Sequence, residues 1–357
     1  MPSETPPKAP PLPSFSVDLT QSSVSGLSSG AFMTVQLHLA HSATFVGAGV
    51  VAGGPYRCAE TFRGAAAITE DAWTLNALYM CMNPLIPQSG PDPAKLVRMA
   101  RQTARDGLID PVENLADDKL YIFTGSADSV VESSVVDTTR RFYEMLGVRP
   151  DNMLFDDRVP AGHSLITDNP EDNPLDANRP PYLNNGGFFQ SQTILNHLYD
   201  GLKKPSERLS GRIVRFDQTE FFDSDPRASM SPYAYIYVPE SVQKKGKAAR
   251  IHIALHGCTQ GYAFVNFVNG QPDLQNSVPY GNRYFTTTGY NEIADANDMI
   301  VLYPQAQGTD DGKVQNPEGC WDWWGYSAKN AEAPDYYSKN AIQINAIYRM
   351  LQRLGGQ

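Results

Sequence analysis

Gly26-Leu27-Ser28-Ser29-Gly30 sets a serine between two glycines in the pattern G-x-S-x-G. A serine hydroxyl attacks carbonyl carbons only when a base removes its proton and donors receive the oxyanion that forms. The pattern suits that task when the serine sits on a sharp strand-to-helix turn, where small flanking residues avoid clashes. The context here fits. SSVSG precedes Ser28 as a strand end, and SGAFMTVQLHLAHS follows as a helix with Phe32, Val35 and Leu39 on one face. A chance match in a Gly/Ser-rich turn would lack that setting.

The base should be a histidine on a loop after a strand, held by a carboxylate that comes earlier in the chain. Of the six histidines, His38 and His41 lie on the helix after Ser28 and are carried away from it. His197 is mid-helix, His252 is inside a strand, and His256 ends another strand. His163, in PAGHSL after a strand at Met153 to Arg158, has the place of the general base. Asp128, in TGSADSVV directly after the strand LYIFTG, has the place of the acid. An aspartate there could instead be a loop or helix-capping residue. Asp156 and Asp157 are rivals, but they end the strand that leads to His163.

A second oxyanion element appears in an unusual position. IHIALHGCTQ (Ile251 to Gln260) reads as a buried strand running into a His-Gly turn. Such turns normally precede the nucleophile, and this one follows it. A circular permutation of an α/β hydrolase explains the order. The last helix, expected to open at Tyr336-Tyr337 and run to Leu354, would then feed the nucleophile strand in space.

The elements that must position these residues alternate. Strands are expected from Ser16 to Gly26, Phe45 to Gly54, Leu120 to Gly125, Arg212 to Phe216, Ala234 to Val238, Arg250 to Leu255 and Met299 to Pro304, beside the one before His163. Helices are expected at Pro93 to Asp106, Ser133 to Leu146, Gly187 to Leu202 and Phe285 to Asn297. Alternation predicts an α/β fold with a mostly parallel central sheet flanked by helices. Residues 1–14 are Pro-rich and expected to be a flexible arm; residues 15–357 are expected to form a single catalytic domain.

The composition, 41 % hydrophobic and 19 % charged, is that of a globular protein. A net charge of −10 excludes nucleic acid and anionic membranes as natural partners. No apolar run is long enough to span a bilayer, and the first residues lack the apolar stretch of a signal peptide. The start fits either a leaderless protein or a mature form with a new Met1. The four cysteines match no zinc or redox spacing; they are either buried thiols or two disulfides, for which three pairings exist.

SVSGLSSGAFM, GGPYRC, TGSAD, AGHSL, ALHGCTQG, GYNEIADANDMIVLYPQA and GCWDWWGY together, in this order, resemble the polyhydroxyalkanoate (polyhydroxybutyrate) depolymerases of the circularly permuted, single-domain type. The resemblance runs from about Phe15 to the C-terminus. It implies Ser28, Asp128 and His163 as the triad and the backbone N–H groups of Ser29 and Cys258 as the oxyanion hole. It implies Trp323 and the downstream His256 at the substrate, with Trp323 as a crevice wall, and disulfides Cys58–Cys81 and Cys258–Cys320. The implied activity is hydrolysis of short-side-chain polyhydroxyalkanoate esters or oligomers by an extracellular monomer that needs no metal or cofactor. A carbohydrate esterase of feruloyl or acetylxylan type shares the same serine motif and HG turn and is the alternative. A non-catalytic binding module on the same fold would not need all three triad residues. Many secreted members carry a linker and a polymer-binding domain that this sequence lacks, and residues 60–118 match the family motifs only at the cysteines.

Overall fold

The computed structural model describes residues 9–61, 72–244, 248–264, 267–268, 271–273 and 280–357. Eight strands, labelled in chain order, make the central sheet: β1 (Val17–Leu27), β2 (Phe45–Val51), β3 (Lys119–Phe123), β4 (Met153–Asp156), β5 (Arg212–Asp217), β6 (Tyr233–Val238), β7 (Ala249–Leu255) and β8 (Met299–Tyr303). Six helices matter below: α1 (Ser29–Ala40), α2 (Pro93–Arg105), α3 (Ser133–Leu146), α4 (Gln190–Leu198), α5 (Tyr290–Ala296) and α6 (Ile342–Leu354). The strands lie in the order β4-β3-β2-β1-β7-β8-β6-β5. Pairings are parallel except where β6 runs against both β8 and β5.

The apolar runs explain the layers. β2, β7 and β8 are almost wholly buried, as strands covered on both faces must be. α1 is buried on every side, because it packs against β1, β2 and α6. α2 and α3 instead keep a polar face to solvent and pack against each other.

Counting from β5 to β8 and then β1 to β4 restores the strand order of an α/β hydrolase, with β1 in the nucleophile position. The join is visible. The Phe15 N–H donates to the Leu354 carbonyl at 2.8 Å, so the end of α6 lies at the entry to β1. Leu19 packs against Gly355 beside it. The chain is therefore a circularly permuted α/β hydrolase.

Three expectations shift. Residues 1–8 of the expected arm lie outside the described residues, but residues 9–14 are docked. Ala9 and Leu12 are buried, and the Asp217 N–H donates to the Pro10 carbonyl at 2.8 Å along β5. The expected helix at Phe285 to Asn297 is two pieces, Arg283–Thr286 and α5, parted by Gly289 at φ 82. The final helix starts at Ile342, not at Tyr336. Tyr337 is held by tertiary contacts instead, with Arg57 over its ring and the Tyr56 hydroxyl donating to its carbonyl at 3.1 Å, and Tyr336 beside it is buried. Among the described residues, no helix is long and apolar enough to cross a membrane.

The four cysteines form two disulfides, Cys58–Cys81 and Cys258–Cys320. The first staples the helical segment 72–82 to the loop after β2. The second ties the turn after β7 to the tryptophan-rich segment.

Burial of histidines gives the fold an acid limit. Burial lowers His252 to about 3. His41 falls to about 4 through burial and then Lys339, against a smaller opposing pull from Asp110. His256 also falls to about 4 through burial. An unfolded histidine binds a proton near pH 6.5, so between there and about 4 the unfolded chain holds the extra protons. Stability is then complete above pH 6.5 and is lost as pH falls toward 4. Three histidines act this way, while burial raises two carboxyls, Glu292 and Asp322, and works in the opposite sense. Each histidine can contribute up to about 1.4 kcal/mol per pH unit in that window. The expected result is a melting temperature that drops steadily from pH 7 to pH 4.5 in a calorimetric series. A flat profile would contradict this reading.

Candidate active site

The turn from β1 to α1 places Ser28 at φ 56 and ψ −122, a backbone state that a residue with a side chain rarely adopts. The two flanking glycines make this possible. A Cβ on Gly26 would collide with the backbone of Gly30, and one on Gly30 would collide with the carbonyls of Leu255 and His256. The motif thus lets β1 fold back on the start of α1 and lets that start press against the end of β7. The Ser28 N–H donates to the Val51 carbonyl at 2.9 Å, which fixes the turn against β2.

His163 and Asp128 come together across two loops. The Nδ1 of His163 lies 2.8 Å from Oδ2 of Asp128, with both side chains almost fully buried. With Nδ1–H donating to the carboxylate, Nε2 is the nitrogen free to accept a proton. The other oxygen of Asp128, Oδ1, accepts the N–H groups of Val130 at 2.8 Å and Val131 at 3.0 Å, so the carboxylate cannot rotate away. The Tyr182 ring stands edge-on to His163, centroids 5.4 Å apart. Asp156 is engaged elsewhere, with Arg158.

Ser28, Ser29, His163 and Cys258 line one cavity of about 460 Å³, whose walls are mostly apolar: Leu27, Phe32, Leu78, Met82, Val130 and Trp323 among them. Ser28 Oγ makes no hydrogen bond to a described residue. Serine-to-histidine contacts in ligand-free sites are commonly loose and tighten with substrate.

The turn after β7 presents a donor. The Gly257 N–H donates to Gln260 Oε1 at 2.6 Å and the Thr259 N–H to the Glu318 carbonyl at 2.7 Å. Between them, the Cys258 N–H has no acceptor among the described residues. Cys258 lines the same cavity as Ser29, the first residue of α1, where the helix dipole favours negative charge.

Two expected substrate residues fare differently. His256 is corrected: it is fully buried and does not line the cavity. Its Nε2 accepts the Ala306 N–H at 3.1 Å, which leaves Nδ1–H to donate to the Gly257 carbonyl at 2.6 Å. Both nitrogens brace the turn from behind, so none is left for a substrate. Trp323 does line the cavity, stacked on Phe32 at 3.9 Å. It is only 4 % exposed, so a small ester can reach its face but a flat solid cannot. Trp321 is fully buried. Asp322, between the two, accepts the N–H groups of Trp324, Gly325 and Ser327 and thereby shapes the tryptophan segment.

Sequence reasoning passed over two amides. Asn178 bridges the acid loop and the histidine loop, and Gln260 bridges the oxyanion turn and residues 181–182. Gln260 was visible in the HGCTQ run; Asn178 lies in a loop with no pattern to mark it. The cavity wall from Thr74, Ala77, Leu78 and Met82 was also unmarked.

No family model matches the chain. A poly(3-hydroxybutyrate) depolymerase of Delftia acidovorans is 36 % identical over 347 residues, covering 96 % of this chain; the chain spans 61 % of that protein's length. A polyhydroxybutyrate depolymerase of Talaromyces funiculosus is 32 % identical over 357 residues, covering 96 % of this chain and 92 % of that one. The crystal structure of the PHB depolymerase from Penicillium funiculosum superposes with a TM-score of 0.79 at 29 % identity, covering 97 % of this chain and 99 % of that one. A PHB depolymerase complexed with an R3HB trimer gives 0.77 at the same identity and coverage. With the permuted sheet, the strained serine turn and likeness along almost the whole length, the chain belongs to the polyhydroxybutyrate depolymerase family.

Proposed function

We propose that the chain is a serine carboxylic ester hydrolase that cleaves poly-3-hydroxybutyrate and its oligomers to short oligomers and monomers, with Ser28 as nucleophile, His163 as general base and Asp128 as its orienting acid. The observation that carries this is the Asp128–His163 pair opening, with the strained Ser28, into one apolar cavity. His163 Nε2 takes the Ser28 proton as Oγ attacks the ester carbonyl. The tetrahedral oxyanion is received by the N–H groups of Ser29 and Cys258. As the C–O bond to the alcohol breaks, the imidazolium, steadied by Asp128, gives its proton to the leaving alkoxide oxygen, which departs as a hydroxyl, and an acyl-enzyme remains. Water attacks it with His163 again as base, which releases the acid and restores Ser28. No step calls for a metal or cofactor.

The relative complexed with an R3HB trimer supports an oligoester as the occupant of the cavity. A repeating unit of methyl and methylene groups suits walls of Phe32, Leu78 and Trp323, whereas a sugar ester would favour a more polar lining. An oxidising, extracellular location is supported by the two disulfides. The single catalytic unit over residues 15–357 is supported by one continuous hydrophobic core.

Contact with a solid needs exposed apolar atoms rather than Trp323. Leu75, Leu78, Tyr79, Leu85 and Ile86 are exposed, and Leu78 also lines the cavity, which makes this stretch the candidate for contact with a solid. The wild-type protein is expected to release 3-hydroxybutyrate oligomers from amorphous polymer and no ferulate from feruloylated sugar. A Tyr79→Ser, Leu85→Ser, Ile86→Ser variant should lose roughly tenfold or more on the film, since each buried side chain contributes about 1.5–3 kcal/mol of adsorption at most. Its kcat/KM on p-nitrophenyl butyrate should stay near wild type. Ferulate release without oligomer release would overturn the substrate; equal loss on both substrates would remove the patch from polymer contact.

A further inference from the structure

The stretch from Asn173 to Asn185 crosses in front of the catalytic loops, and it is anchored on its own account. Its last residues pair in parallel with Leu165–Thr167, and Asn184 Nδ2 donates to the carbonyls of Leu175 and Ala177, both at 2.8 Å. From that base it reaches the catalytic groups at two points.

At the first, Asn178 Oδ1 accepts the N–H of His163 at 2.8 Å and of Ser129 at 3.0 Å. Its Nδ2 donates to the carbonyls of Ala127 at 2.9 Å and Asp176 at 3.2 Å. One amide thus grips the backbone on both sides of Asp128 and the backbone of His163 itself. At the second, the buried Gln260 donates from Nε2 to the Pro181 carbonyl at 2.6 Å and the Tyr182 carbonyl at 3.4 Å. Its Oε1 holds the Gly257 N–H, next to the Cys258 N–H of the oxyanion turn.

We infer that this stretch is a strap that sets the Asp128–His163 pair and the oxyanion turn in register, with Asn178 and Gln260 as its two positioning residues. The inference rests on the triad and oxyanion reading given above. Neither amide touches reacting atoms; each acts through a neighbour. The chemistry requires an amide at both places, because each side chain donates and accepts at once. A carboxylate would keep the accepted bonds and lose the donated ones; an alanine would lose all.

The test uses the full chain and p-nitrophenyl butyrate, with kcat, KM and the pH profile of kcat/KM. Asn178→Ala should lower kcat about 10- to 100-fold with KM little changed, the usual penalty for a small misplacement of catalytic groups. Asn178→Asp keeps both accepted bonds and adds a negative charge beside His163. That charge favours the imidazolium and should move the acid limb of the profile to higher pH. Ionisable groups near His163 include Asp128, the Tyr182 phenol (itself acted on by Glu318 and Tyr280) and Glu318, which lines the same cavity, while Asp176 and Arg179 flank position 178; none of them is changed. Gln260→Ala should lower kcat by a similar factor and leave the acid limb where it was. His163→Ala is run beside them. An active His163→Ala would refute the triad reading itself. With His163→Ala inactive, wild-type kcat in Asn178→Ala and Gln260→Ala would refute the strap alone. Losses that track melting temperature in every variant, with an unmoved acid limb in Asn178→Asp, would reduce both amides to structural roles and refute it too. Should Asn178→Ala not fold, Asn178→Asp and Gln260→Ala decide the matter.

Discussion

Ser28→Ala is expected to lower kcat on soluble ester by roughly four to six orders of magnitude, with the fold unchanged. The size of the loss follows from the site's construction. A buried imidazole poised on a carboxylate has no partner to activate once Oγ is gone, and the cavity retains only its N–H donors to polarise a carbonyl. The fold should survive because Ser28 Oγ bonds to no described residue, while the N–H that fixes the turn to Val51 is a backbone group. Alanine keeps the Cβ and costs no more in strain at φ 56. His163→Ala should fall comparably. His197→Ala should stay near wild type, since its Nε2 lies 2.9 Å from the Asn152 carbonyl, in a part-buried contact with the residue that precedes β4. Steady-state rates on p-nitrophenyl butyrate, with labelling by a serine-directed phosphonate, would check this. A folded Ser28→Ala protein with near-normal turnover or unchanged labelling would end the assignment.

Much of this was legible because it rests on local chemistry. Apolar runs with glycine ends gave the strands, and the unusual order of serine motif and HG turn pointed to the permutation. The Phe15–Leu354 bond realises that permutation in space. His163 and Asp128 could be picked by topology, since a loop after a strand is where the fold exposes residues. What was not legible depends on tertiary contact. The family resemblance implied His256 at the substrate, but only the packed structure reveals that Ala306 and Gly257 occupy both ring nitrogens. Tyr336 and Tyr337 looked like a helix start because nothing local announces that Arg57 and Tyr56 claim Tyr337 and that Tyr336 is buried. Asn178 carries no pattern at all, because three of its four bonds reach residues brought close only by folding. Trp323 lines the cavity, and its stacking on Phe32 leaves it too deep to meet a solid surface, which no local pattern tells.

Gly30→Ala is the second change expected to have a large effect, and it tests why the serine motif ends in glycine. A methyl at position 30 would enter the space of the Leu255 and His256 carbonyls. Those are backbone atoms at the end of β7, and neither can swing aside as a side chain would. The helix start and the β7 turn must therefore separate. Ser29 lies on one side of that seam and Cys258 on the other, so the two proposed oxyanion donors move apart together. Loss of a single such donor typically costs about 10²–10³ in kcat, and a shift of about 1 Å in catalytic groups about 10². We expect kcat to fall by at least about 100-fold. The overpacking should also cost about 1–3 kcal/mol of stability, which leaves the protein folded at 25 °C. The two effects separate by temperature. Assayed well below its melting transition, Gly30→Ala should still label slowly with the serine-directed phosphonate, because Ser28, His163 and Asp128 remain, while ester turnover stays low. Phosphonylation itself builds negative charge on an oxygen, so labelling should slow in proportion to turnover. Wild-type kcat in this variant would refute the expectation that a methyl at position 30 parts the two donors.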